Sequence, residues 1–186
     1  MFNEEKVAQM AAYLLKKHGG TMRFIKLMKL MYLSDRKAME LYGFPISGDH
    51  YFSMNKGPVL SQTYSLVKDG SENENSPWES WISDVADHKV EMRRTFSSVD
   101  ELGELSPAEI ESMDIVFGQY GHWEAFKLCD ETHRICGEWR DPHGSSIPIS
   151  LKDIFIALGK SPEAAAVMAN SIYEQNNLDM LLGDLR

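Results

Sequence analysis

The chain has 186 residues, 43% hydrophobic and 25% charged, which excludes a disordered, fibrous or membrane-spanning polypeptide and predicts one packed core. Its formal net charge of −9 is unevenly placed: residues 1–70 hold ten Lys/Arg and six Asp/Glu (+4), and residues 71–186 hold nine and 22 (−13). The acidic body argues against general nucleic-acid binding and suits a basic protein partner.

The start of the chain carries Glu4, Glu5 and Lys6 and no apolar core of a secretory signal. Two cysteines are too few for a disulfide scaffold, so a cytoplasmic location is expected. Asn3 to His18 places Val7, Met10, Ala11, Leu14 and Leu15 at steps of three and four, predicting an amphipathic helix stopped by Gly19-Gly20. A second helix is expected from Met22 to Tyr42, capped by Thr21. Its apolar residues cover more than half its girth, which puts it in the core. Arg23, Lys26, Lys29, Arg36 and Lys37 share the remaining sector.

Asp49–Asn55 reads as a short strand and Val59–Lys68 as a third helix. Asp69–Pro77, polar and rich in Gly, Ser and Asn, reads as a mobile loop. Beside it, Trp78 and Trp81 are candidate exposed anchors of an interface. His88–Phe96 alternates as a strand, paired most simply with Asp49–Asn55. Ser106-Pro107-Ala108-Glu109 is a strong helix start. His122–Trp139 is helix-like, with an interruption near Thr132, and Pro142–Pro148 is a turn region. Helices start again at Ser150 and at Ser161-Pro162, and the tail after Asn177 is expected to fray. The sum is a mainly α fold with a small antiparallel β hairpin or sheet. It is read as one domain over residues 1–177 with a short tail over 178–186.

Cys129, His133 and Cys136 fall at i, i+4 and i+7, with His122 or His143 as a possible fourth zinc ligand. No close cysteine pair accompanies them, so small core residues are the preferred reading, and no metal or cofactor is expected. No nucleophile elbow or phosphate-binding glycine loop appears, so the chain is expected not to be an enzyme. The basic sector of the second helix leaves one alternative, a DNA- or RNA-associated regulator.

Lys26-Leu27-Met28-Lys29-Leu30-Met31-Tyr32-Leu33-Ser34-Asp35 resembles the signature helix of the SocA/Panacea antitoxin-domain family. The resemblance continues through Tyr42-Gly43-Phe44-Pro45-Ile46-Ser47-Gly48-Asp49 and Gly57-Pro58-Val59, and then from Leu128 through Thr132-His133 to Trp139. It spans about residues 3 to 160. It implies a mainly α antitoxin, often encoded by phages or mobile elements, that binds and neutralises a protein toxin. In one branch the antitoxin also hands its toxin to a AAA+ protease. Lys29, Tyr32, Asp35, Gly48, Gly57, Pro58, Val59, Thr132, His133 and Trp139 are the family-motif residues, structural or partner-binding. A basic toxin would meet an acidic surface, for which Glu101, Glu104, Glu109 and Glu111 are the candidates beside the two tryptophans. A protease or chaperone is a further partner class, and self-association is left open.

Overall fold

The structure, a computed structural model, describes residues 1–71 and 75–183. The fold is mainly α with small antiparallel sheets, as the sequence predicts. No helix among the described residues is long and apolar enough to cross a membrane.

Helix α1 (Glu4–His18) starts where the Asn3 side chain accepts from the Lys6 N–H. Glu4 and Glu5 in the first turn and Lys16, Lys17 and His18 in the last complement its dipole. Gly19, at φ 99°, ends it. Every residue from Val7 to Leu15 is buried, so α1 is enclosed all round rather than amphipathic. The next segment departs from expectation. Thr21 does not cap a helix: Thr21–Arg23 forms strand β1, and the Thr21 hydroxyl donates to the Val90 carbonyl. Helix α2 (Phe24–Tyr42) follows and buries ten consecutive residues, Lys26 to Asp35, against its neighbours. Lys26 and Lys29 are 6% and 1% exposed, so the basic sector is not one continuous exposed face.

Strand β2 (Tyr51–Met54) turns at Asn55-Lys56 into β3 (Gly57–Leu60). Helix α3 (Ser61–Asp69) therefore starts at Ser61 rather than Val59. Residues 72–74 of the expected mobile loop lie outside the described residues. Helix α4 (Pro77–Trp81) is capped by Ser76 and packs on α1. Trp78 and Trp81 are 2% and 0% exposed, and the Trp81 indole N–H donates to Glu5 at 2.8 Å. They are core residues, not interface anchors. The carboxylates of Glu4 and Glu5 hold α4 down, with Glu4 accepting from the Ser76 hydroxyl and the Trp78 N–H.

Strand β4 (Lys89–Glu91) pairs with β1, not with β2. The central three-stranded sheet instead runs β3–β2–β5, where β5 (Ile147–Ile149) comes from the expected turn region. A two-residue turn makes the β2–β3 pairing the cheaper closure. Helix α5 (Pro107–Tyr120) carries the predicted capping box, Ser106 with Glu109. Helix α6 (Ala125–Ile135) passes through Thr132 unbroken and ends before Trp139. Helices α7 (Leu151–Ala157) and α8 (Pro162–Gly183) close the chain. The expected frayed tail is helical through Gly183, and residues 184–186 lie outside the described residues. In the assembled fold α2 is the axis, packed against α1, α5, α6 and β3.

Gly118 lies inside α5, and a Cβ there would meet no heavy atom within 4 Å. Gly118→Ala should stabilise the fold by about 0.5–1 kcal/mol, read as a higher Tm in calorimetry.

Candidate functional site

The polar side chains that α2 carries into the core need partners there, because a buried polar group without one is costly. Asp35 is fully buried. It accepts from the backbone N–H groups of Ile46 (3.1 Å) and Ser47 (2.9 Å), from the Ser47 hydroxyl, and from the Tyr51 hydroxyl (2.9 Å). One carboxylate thus ties α2 to the loop after it and to β2. Burial pushes the Asp35 carboxyl up to about 6, against the lowering effect of the Ser47 and Tyr51 hydrogen bonds. Asp49 does the next task along the chain, accepting from the N–H groups of Gln62 (2.9 Å) and Thr63 (2.8 Å). It supplies the cap that Leu60 cannot give α3. Between the two carboxylates Gly48, at φ 62°, lies against Met1, whose carbonyl carbon and oxygen would be 2.6 Å from any Cβ.

Nearly two turns earlier on α2, the Lys29 ammonium donates to the Pro58 carbonyl at 2.7 Å and so grips β3. Gly57 sits between this lysine and α6. At φ 95°, a Cβ on it would be 2.4 Å from the Thr132 hydroxyl oxygen. That hydroxyl donates to the Cys129 carbonyl at 2.6 Å. The hairpin is held from its far side by Trp139, whose indole N–H donates to the Met54 carbonyl at 3.0 Å. The His133 ring stacks on Trp139, with centroids 4.0 Å apart. Val59, buried on β3, lines a mostly apolar cavity of about 270 Å³ beside Lys29.

Tyr32 donates to the Glu138 carboxylate at 2.8 Å, and Arg36 meets the same oxygen at 2.9 Å. Glu138 was not among the candidate residues. Its signal was the i, i+4 pair Tyr32 and Arg36, two donors on a helix face that call for one acceptor. Among the described residues, the other Glu138 oxygen and His133 Nε2 are each buried without a hydrogen-bond partner. Of the ten family-motif residues, Lys29, Gly57, Pro58 and Thr132 form one linked group with Val59 at its edge, His133 and Trp139 stack beside the hairpin, and Tyr32 and Asp35 each tie a further segment to α2. Gly48 alone stands apart, against the N-terminus.

Both cysteines are buried, and burial pushes their thiols up, away from the thiolate that zinc requires. Among the described residues no three His, Cys, Asp or Glu side chains gather to hold a metal.

Of the four expected acidic partner residues, Glu101, Glu104 and Glu111 are exposed and Glu109 is half-buried. Glu109 is committed to structure, paired with Lys6 at 2.7 Å and closing the α5 capping box. Glu101 accepts from the N–H groups of Ser97 and Ser98, which hold its carboxyl below the usual range. Glu111 accepts from the Tyr42 hydroxyl at 2.6 Å, and Glu104 shares a recess of about 250 Å³ with Phe44. Tyr42 and Phe44 are 42% and 52% exposed. The surface therefore presents two exposed aromatic side chains two residues apart, each with a carboxylate near it: Glu111 at Tyr42, and Glu104 in the recess that Phe44 forms with the chain start and α8. Sequence reasoning placed Tyr42 at a helix end and Phe44 in the turn after it, as found, but assigned neither a role because periodicity does not show which aromatic side chains stay exposed.

A sequence model of the family described as antitoxin SocA-like, Panacea domain, matches residues 27–140. Comparisons with curated proteins and with solved structures return no match. The chain belongs to the SocA-like antitoxin, Panacea-domain family, a membership that supports an antitoxin role and implies a toxin partner. The matched span opens in α2 and closes just past Trp139, so it encloses the polar frame around Lys29, Tyr32, Asp35 and Glu138.

The Lys29 amine is pushed down from 10.5 to about 8 by burial, which the two cysteines only partly offset. An amine with a lowered folded pKa destabilises the fold while protonated. The penalty is full below about pH 8 and fades as the pH rises toward 10.5. Lys29→Met removes it. The stability of the variant minus that of the parent should therefore fall by about 3 kcal/mol between pH 7 and pH 10 in urea unfolding. A pH-independent difference would refute this. Gly57→Ala should cost about 2–4 kcal/mol in the same assay, from backbone strain plus collision with Thr132.

Proposed function

We propose that this member of the SocA-like, Panacea-domain family neutralises a protein toxin by direct, non-catalytic binding, covering the toxin's working surface. The observation that carries the reading is family membership over residues 27–140, joined to an exposed face of fitting chemistry. On that face Tyr42 and Phe44 supply aromatic contact and Glu104 and Glu111 supply charge. Aromatic anchors beside acidic groups suit a partner with a basic rim and an apolar centre. A toxin that acts on nucleic acid carries such a basic surface for its own purpose. Handing the bound toxin to a AAA+ protease is a second step within the same reading, acting in the cytoplasm.

Co-expression tests the reading. The product of the neighbouring gene should arrest growth alone and be harmless with this protein present; equal toxicity in both cases sinks it. Protease delivery adds a shortened toxin half-life in the presence of this protein. The face is tested by reversing its charges. Glu104→Lys with Glu111→Lys should slow association about tenfold at low ionic strength, and the difference should vanish in high salt. An unchanged association rate would place the interface elsewhere. Glu109 is left intact because reversing it would break the α5 cap.

A further inference from the structure

The β1–β4 ribbon sets Arg23 directly opposite Lys89. Like charges in facing positions of an antiparallel pair repel. Neither residue takes part in any ion pair among the described residues, although the chain carries a net charge of −9. Both line an open cavity of about 270 Å³. Lys26 lines it too, 6% exposed, its ammonium 2.7 Å from the Gly121 carbonyl and 2.9 Å from His18 Nε2. Burial pushes the Lys26 amine down, and the nearby Glu124 carboxylate acts the other way.

The cavity wall also contains the start of α6. Its cap residue, Glu124, makes no side-chain hydrogen bond to the first turn, and the first backbone bond of the helix runs from the Leu128 N–H to the Glu124 carbonyl. The N–H groups of residues 125–127 thus start the helix uncapped, and Ala125 lines the same cavity as the three cationic side chains. An uncapped helix start carries partial positive charge. Glu124 is the single carboxylate in the lining. Three cations against it leave an excess of two positive charges, which matches a phosphomonoester above its second pKa of about 6.

We propose that this cavity binds a phosphate group, either free or as the monoester of a small molecule. Arg23 and Lys89 grip it from the ribbon, Lys26 from the floor of α2, and the α6 N–H groups from the opposite side. The bound anion also removes the Arg23–Lys89 repulsion, so occupancy steadies the ribbon. The volume is at the small end of ligand cavities, about 300 Å³, so the ligand is small. Trp123 forms one side, one ring face taken by the Lys127 ammonium at 4.7 Å. The site is separate from the Tyr42–Phe44 face, and the inference does not rest on toxin binding.

Calorimetric titration at low ionic strength with inorganic phosphate, AMP and adenosine tests the proposal. Saturable binding of phosphate or AMP, with none for adenosine, is the expected result. Tighter AMP identifies a phosphomonoester as the ligand class, and equal affinities identify free phosphate. Lys89→Glu places a carboxylate opposite Arg23 and should weaken binding at least about tenfold; Arg23→Gln should weaken it in the same direction. Lys160→Glu makes the same change in net charge on an exposed residue outside the cavity and should leave affinity unchanged. Three results overturn the proposal: no saturable binding of either phosphate species at millimolar concentration, adenosine binding as tightly as AMP, or Lys160→Glu weakening binding as much as Lys89→Glu. Both ribbon positions are exposed, and melting curves confirm that each variant is folded.

Discussion

A helix that buries ten consecutive residues, four of them Lys26, Lys29, Ser34 and Asp35, has to find an acceptor or donor for each polar head inside the protein. That requirement organises the fold. Ser34 answers it locally, donating to the Leu30 carbonyl one turn back. The others answer it at a distance. Lys26 reaches Gly121 after α5, Lys29 reaches Pro58 on β3, and Asp35 gathers the 46–47 loop and Tyr51. Tyr32 adds the Glu138 segment. Apart from Ser34, each of these polar groups thus fixes at least one neighbouring segment. Apolar packing alone would hold these segments near α2 without setting their register, since hydrophobic contact is non-directional.

Hence the family motif is mostly architectural. Gly57 is required because Thr132 and the Lys29 head occupy the space a Cβ would need, and Trp139 is required because its N–H fastens the hairpin turn. Neither reason involves a partner. A frame that closes on itself leaves the exposed faces free to vary in sequence without loss of the fold. That separation would let recognition change on the outside while the inside stays fixed.

What could be read from the sequence follows the same division. The α5 start was legible, because Ser106, Pro107 and Glu109 act on one another within a turn. The central position of α2 was legible from its apolar girth. The partial covering of its lysines followed from the same girth, but their acceptors were not legible, because the carbonyls that receive Lys26 and Lys29 lie 95 and 29 residues away. Trp78 and Trp81 failed for a like reason. Beside a polar loop they read as exposed, but Glu4 and Glu5, over 70 residues earlier, draw α4 onto α1. Strand pairing failed where two alternatives were both possible, and the two-residue turn after Met54 decided it.

The division of charge along the chain also changes meaning in three dimensions. The +4 of the first 70 residues counts Lys26 and Lys29, whose heads are held by the Gly121 and Pro58 carbonyls rather than by carboxylates. Lys6, Lys17 and Arg36 are spent on Glu109, Asp114 and Glu138. What remains outside any ion pair among the described residues in that stretch includes Arg23, which lies over the Phe126 ring at 5.5 Å and which the β1–β4 ribbon sets against Lys89. In a chain with so many carboxylates, two facing cations without one between them require a specific arrangement of the ribbon. Solubility does not call for it, since the acidic excess already supplies that. The concentration of positive charge at one cavity is therefore a local feature of the fold, distinct from the acidic surface on which a basic partner would be recognised.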